Sequence, residues 1–251
     1  MNLKKFVPNR KILLATSLLS LSLLSINQLP TEAQNVPKKV ASNYDITFEP
    51  PSESQPQATI GGASRGGQCY ADSQNISQPF APLLPASNQG LTTASHPTLL
   101  AYIPTSAAGS IFLNLQDENE EEVYQAILPI NNQSGVISLD LPPEAPGLET
   151  GKNYKWSFAL MCDNKLRPDS PVIEGYITRV QPRSELANQL EKATPTETVA
   201  LYGQAGIWYE TVAILAELRQ SEPQNQELVT AWNNILNSVG LEKVAKAELI
   251  D

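Results

Sequence analysis

The chain has 251 residues and a formal charge of −9, with 26 acidic against 17 basic side chains and a single histidine. So acidic a surface repels phosphate backbones, so no nucleic-acid partner is expected. Two cysteines outside any Cys-x-x-Cys pair, with one histidine, are too few for a structural zinc site, and neither metal nor cofactor is expected.

Residues 1–33 read as a secretory signal peptide. Lys4, Lys5, Arg10 and Lys11 precede an apolar run over 12–26, and Thr31-Glu32-Ala33 supplies small residues where a signal peptidase cuts. The run is shorter than the roughly 20 apolar residues of a spanning helix, so no membrane span is expected after cleavage. Removing these residues, which carry four basic side chains and one acidic, moves the formal charge from −9 to about −12. In an oxidising compartment the even cysteine count favours a Cys69–Cys162 disulfide over free thiols. The expected location is periplasmic or secreted.

Residues 34–67 are rich in Pro, Ser, Gln and Gly and are expected to form a disordered linker, because so few apolar groups cannot offset the entropy of ordering. Gly62-Ala63-Ser64-Arg65-Gly66 matches the Gly-x-Ser-x-Gly pattern of a nucleophile elbow. That motif needs a strained turn between a buried strand and a helix, and no apolar strand precedes it here.

From 68 to 182 short alternating runs are separated by Pro, Gly and Asn. Seven strands are predicted, over 80–84, 98–103, 110–116, 122–128, 135–141, 153–162 and 171–180, the pattern of a β-sandwich. Leu148, Gly151 and Tyr154, spaced three apart, resemble the tyrosine corner of immunoglobulin-like folds, in which the phenol hydrogen-bonds backward. Tyr154, Trp156, Phe158 and Leu160 then fall on one face at period two. Asp117-Glu118-Asn119-Glu120 reads as a hairpin turn. A calcium loop would need Gly where Glu122 stands and a bidentate Glu where Leu128 stands. His96 stands directly before Pro97, which restricts it to extended geometry, and no spacing recommends a triad around it.

Helical periodicity takes over from 183 to 251. Leu186 and Leu190 mark a short first helix. Thr194-Pro195-Thr196-Glu197 places an N-cap, a first-turn proline and a capping-box glutamate in order, starting a second helix that breaks near 203–206. Trp208, Val212, Leu215 and Leu218 stripe a third helix ending at Glu222-Pro223. Leu228, Trp232, Ile235 and Val239 stripe a fourth, closed by Gly240. The second and third helices resemble one tetratricopeptide-type hairpin, carrying Tyr202, Gly206, Trp208, Leu215 and Pro223 near the positions such repeats keep. No second copy follows at that period, so the pair reads either as a small helical appendage packed on the sandwich or as a partner-docking hairpin. The three tryptophans read as core, whereas Tyr209, about 100° round the helix from Trp208, is the expected exposed aromatic. Tyr202, Tyr209, Glu210 and Arg219 form the expected partner-binding set.

The chain resembles a cyanobacterial family known as domain of unknown function 928. Gly90-Leu91-Thr92-Thr93, Pro97-Thr98, Tyr102 and Pro104 carry the resemblance, with Gly151-Lys152, Tyr154, Trp156 and Cys162. They are joined by Ala193-Thr194-Pro195, Leu201-Tyr202, Gly206-Ile207-Trp208-Tyr209 and Leu215-Ala216-Glu217-Leu218-Arg219. The likeness implies a cyanobacterial host and an extracytoplasmic place, and it carries no catalytic residue over.

The expected architecture is mainly β: an immunoglobulin-like β-sandwich followed by a small α-helical C-terminal region with a tetratricopeptide-like hairpin. The expected function is non-catalytic, a binding or adaptor protein of the cell envelope that docks a protein partner through the hairpin at 201–218. Two alternatives are an envelope glycan- or ligand-binding β-sandwich and a carboxylate-dependent hydrolase.

Overall fold

The computed structural model describes residues 45–51, 69, 78–130 and 133–250. The expected signal peptide, most of the expected linker and the Gly-x-Ser-x-Gly stretch at 62–66 lie outside the described residues. The protein is mostly β with a C-terminal helical region. Its strands are β1 (Ala81–Pro82), β2 (Gln89–Thr92), β3 (Thr98–Ile103), β4 (Ala108–Asp117), β5 (Glu122–Pro129), β6 (Gly135–Asp140), β7 (Asn153–Cys162), β8 (Val172–Arg179) and β9 (Leu249–Ile250). Between β8 and β9 come α1 (Ser184–Leu190), α2 (Pro195–Gln204), α3 (Trp208–Ser221) and α4 (Gln226–Ser238).

Two sheets share one hydrophobic core. The first has the order β1-β3-β6-β9 and the second β2-β8-β7-β4-β5. Strand β7 is central to the second because Trp156, Phe158 and Leu160 alternate onto the core side, opposite Leu115, Leu113 and Ile111 of β4. Tyr154 enters that core from the turn at Gly151, whose φ of 84° suits glycine, and the Glu149 amide donates to its phenol oxygen at 3.0 Å. The backward bond expected of Tyr154 is present. Cys69 and Cys162 form the expected disulfide, with Cα atoms 5.5 Å apart and both residues buried.

The change from strands to helices near 182 does not interrupt the core. Trp208, Val212 and Leu215 of α3, with Trp232 and Ile235 of α4, belong to the same buried cluster as Trp156 and Phe158. Strand β9, beyond the last helix, returns to pair in parallel with β6. Burying each large aromatic contributes roughly 4–6 kcal/mol gross, from 150–250 Å² at about 25 cal/mol/Å². Each tryptophan also places its indole N–H on an acceptor: Trp156 on Tyr209, Trp208 on the Leu83 carbonyl and Trp232 on the Ala245 carbonyl.

Helix α2 starts as the sequence predicts. The Glu197 amide donates to Thr194 Oγ1, and the Thr194 amide donates to the Glu197 carboxylate at 2.7 Å, with Pro195 in the first turn. It stops at Gly206, whose φ of 71° lets the Gly206 and Ile207 amides turn back onto the carbonyls of Gly203 and Tyr202.

Part of the expected linker is corrected. Residues 45–51 are placed against the helices, with Ile46 and Phe48 packed on the core and the Glu49 amide donating to the Gly203 carbonyl at 3.0 Å. Ile46 and Phe48 supply apolar surface that the surrounding polar composition hides from a windowed reading.

Candidate binding site where the sheets meet the helices

Strand β2 organises the junction. It pairs in parallel with β8, register Gly90 to Ile177, and lies under the start of α3. A Cβ on Gly90 would come within 2.7 Å of the Tyr209 ring, so the absent side chain is what lets helix and strand close up. Tyr209 accepts the Trp156 indole N–H at 2.7 Å and donates to the Tyr176 carbonyl at 3.1 Å.

The next residue, Glu210, holds the loop that leaves β2. Its Oε1 accepts from the Thr92 hydroxyl (2.9 Å), the Thr93 amide (2.6 Å), the Thr93 hydroxyl (2.8 Å) and the Ala94 amide (2.9 Å). Arg179 grips the opposite side, donating from Nε to the Thr93 carbonyl at 3.2 Å and from Nη1 to the Leu148 carbonyl. Donors of the loop meet a carboxylate and its acceptor meets a guanidinium, so residues 92–94 are fixed from both directions.

Two clefts flank this junction. One, of about 320 Å³, is lined by Phe48, Pro51, Pro85, Leu91, Thr178 and Gly206, among others. It borders the extended segment 45–51, which crosses the turn between α2 and α3. A Cβ on Gly206 would meet the Glu49 carbonyl at 2.8 Å, one on Gly203 would strike the Thr47 carbonyl, and Phe48 stands edge-on to Trp208 at 4.7 Å between centroids. The other cleft, of about 420 Å³, opens between α3 and the Thr98–Asp140 end of the β3–β6 pair. Its lining includes His96, Thr98, Asp140, Glu210, Ile214 and Glu217.

A family model described as Domain of Unknown Function (DUF928) matches residues 60–249. The chain belongs to the DUF928 family. No curated protein matches it significantly. Segment 45–51 therefore lies before the matched region of this DUF928 chain, while the helical turn it covers lies within it.

The four residues of the expected partner-binding set lie on α2 and α3 of this DUF928 protein. Tyr209 is 2% exposed rather than presented to solvent. Helix α3 is buried over a wide arc that includes Trp208, Tyr209, Thr211 and Val212, because it meets β2 on one side and α2 on the other. Burial pushes the Tyr209 phenol far above its usual range, despite the Trp156 hydrogen bond, so it remains a neutral donor. Glu210 is spent on the 92–94 loop, and its Oε2 is buried without a hydrogen-bond partner. Arg219 lies over the Trp232 ring at 5.1 Å, its Nε and Nη1 buried without partners, and burial lowers its pKa. Tyr202 is half-buried on α2.

The remaining chemistry is modest. His96 faces the Ala145 carbonyl with Nε2 at 3.0 Å, which requires a hydrogen there, and Nδ1 then accepts from the Ser95 hydroxyl at 3.1 Å. The ring bridges two loops, with a backbone carbonyl where a triad would have a carboxylate. Asp117 accepts from the amides of Asn119 and Glu121, closing the β4–β5 turn. Some desolvation opposes it, but these amides hold its carboxyl below the usual range. Among the described residues no group of three or more His, Cys, Asp or Glu could hold a metal ion, and no helix is long and apolar enough to cross a membrane.

Proposed function

We propose that this protein is a non-catalytic binding or adaptor protein of the cell envelope, exported by residues 1–33, which takes an extended segment of a protein partner on its α2–α3 turn. The observation that carries the reading is the chain's own segment 45–51. It lies extended across Gly203 and Gly206, joined by the Glu49 to Gly203 backbone bond and the Phe48–Trp208 ring contact. A surface that accepts one extended peptide by backbone bonding and one aromatic anchor suits another of the same chemistry. The finer reading is an immunoglobulin-like sandwich, with Tyr154 as its tyrosine corner, carrying a tetratricopeptide-like hairpin made of α2 and α3. The disulfide supports a periplasmic or secreted place, and the family resemblance supports a cyanobacterial host.

The test is a fluorescently labelled peptide spanning residues 45–51, titrated against the intact protein, Phe48→Ala and Gly203→Val. The tethered segment competes at high effective concentration, so Phe48→Ala should bind the peptide more tightly than the unaltered chain. Gly203→Val should bind neither. Equal, absent binding by all three proteins sinks the peptide-docking reading.

A second reading, ligand or glycan binding, is favoured by the 420 Å³ cleft with Asp140, Glu217 and Thr98 on its walls. Glycan binding lost in Asp140→Asn but kept in Gly203→Val would support it over the adaptor reading.

A further inference from the structure

The segment 45–51 is a template for what its seat accepts. Ile46 and Phe48 turn inward onto the core at period two, while Asp45, Thr47 and Glu49 around them are exposed. The Glu49 amide is spent on the Gly203 carbonyl at 3.0 Å, so a proline cannot serve at that position. Beyond it the chain meets Pro50 and Pro51. A residue before proline is held extended, and consecutive prolines favour the polyproline II helix, in which residues three apart share a side. Phe48 and Pro51 are three apart and both half-buried, and a Cβ on Gly206 would lie 3.1 Å from Cγ and Cδ of Pro51. The seat therefore takes an aliphatic residue, an aromatic two places on and a proline three places after that, against Trp208 and two glycines.

The chain's own segment fills this seat incompletely. Beside it remains the cleft of about 320 Å³, lined by Phe48, Pro50 and Pro51 of the segment and by Pro85 and Leu91 beyond it. No charged side chain is among its described lining residues. Its polar wall is bonded to itself: Gln89 Nε2 donates to Thr178 Oγ1 at 3.3 Å, and the Thr178 hydroxyl donates to Asn153 Oδ1. What the cleft offers an occupant is thus four rings and a leucine, surface best covered by an apolar side chain. Pro50 borders this space and is exposed, so its short ring leaves the cleft open.

Resting on the reading of the α2–α3 turn as a peptide-docking surface, we infer that the partner segment has the pattern aliphatic-x-aromatic-x-large apolar-proline. Its large apolar side chain stands where this chain has Pro50 and fills the cleft. The other fixed positions repeat Ile46, Phe48 and Pro51. The chain's own segment is in this way a replaceable occupant: it supplies the backbone bond and the aromatic anchor, and leaves the cleft to the segment that takes its place.

The test titrates labelled peptides of sequence 45–51 against two intact chains opened at the seat, Phe48→Ala and Ile46→Ala, so that misfolding of one leaves the other. Within the peptide, Phe48→Ala and N-methylation of the Glu49 amide should each weaken binding about tenfold, whereas Thr47→Ala, at an exposed position, should stay within about twofold. A Pro50→Leu peptide should bind about tenfold more tightly than its parent, because the added side chain is buried in the cleft. In an opened chain that also carries Ser87→Leu, which places a leucine in the cleft lining, that gain should vanish. A Pro50→Leu peptide that binds no better than its parent, or keeps its advantage on Ser87→Leu, overturns the inference while the docking reading stands. Peptides that bind neither opened chain overturn both.

Discussion

The Glu210 carboxylate accepts the Thr93 amide at 2.6 Å and the Thr93 hydroxyl at 2.8 Å through the same oxygen. Two distant stretches of chain, a loop after an early strand and the first turn of a late helix, are thereby locked by a charge-assisted contact. Glu210→Ala leaves the Thr93 amide without its acceptor and the Ala94 amide with Thr92 Oγ1 alone, at 3.1 Å, and should cost about 2–3 kcal/mol, because part-buried donors lose bonds to an ion. Glu210→Gln keeps one acceptor and should cost less. Urea midpoints measure both; a loss below about 0.5 kcal/mol for Glu210→Ala, the level of an ordinary surface site, would mean that water serves the loop equally well.

Tyr209 gives a pH signature. Its phenol is kept neutral in the folded protein, whereas in the unfolded chain it ionises near the ordinary value of about 10. The stability this contributes is fully present below that value. Above it the folded state holds a proton that the unfolded state has released, so stability falls as pH rises, at roughly 1.4 kcal/mol per pH unit for this one group. Tyr209→Phe should lower stability near neutrality by removing the bonds to Trp156 and Tyr176, and should flatten the decline above pH ~10. Parallel slopes for the two proteins would contradict the assignment.

The disulfide spans a sequence separation of 93 residues. Replacing both cysteines by alanine should reduce stability by about 4–5 kcal/mol in the chain-entropy limit, less if the unfolded chain stays compact. Reductant should shift the thermal midpoint of the unaltered protein and leave that of the double variant unmoved.

Helix α2 depends on its capping box. The Thr194 backbone amide, then its side chain, hold the Glu197 carboxyl below the usual range. The contribution is present above the ordinary Glu pKa and is lost as pH falls through the lowered folded value. Thr194→Ala should cost about 1 kcal/mol. The protection factor across 195–200, exchange corrected for the intrinsic rate at each pH, should fall on acidification in the unaltered protein and already be low at neutral pH in Thr194→Ala.

What could be read ahead of the structure was whatever local chemistry dictates. The alternation in β7, the Thr194–Glu197 box and the stop at Gly206 are each decided within a few residues. Strand β2 was not legible, because four residues with a glycine among them show no alternation and its partner β8 lies far along the chain. The burial of Tyr209 escapes the sequence for a related reason. A helix wheel assumes one buried face, and α3 has neighbours on two sides, so the residue 100° from Trp208 is as dry as Trp208 itself. Glu210 carried no sequence signal that it would reach back to Thr93. Gly90-Leu91-Thr92-Thr93 and Gly206-Ile207-Trp208-Tyr209 stood out separately; that they face each other is a tertiary fact.

The β6–β9 pairing carries one further implication. Val136 waits for Leu249, and Gly90 for Ile177, so both parallel contacts bridge long stretches of chain that must first be brought together. Such loops are closed at an entropic cost before the contacts return anything, which makes folding slow and partial assemblies poorly populated. Sheets and helices should consequently melt together. Tryptophan fluorescence, reporting Trp156, Trp208 and Trp232 in one shared core, and far-ultraviolet circular dichroism, reporting backbone, should trace a single superimposable transition.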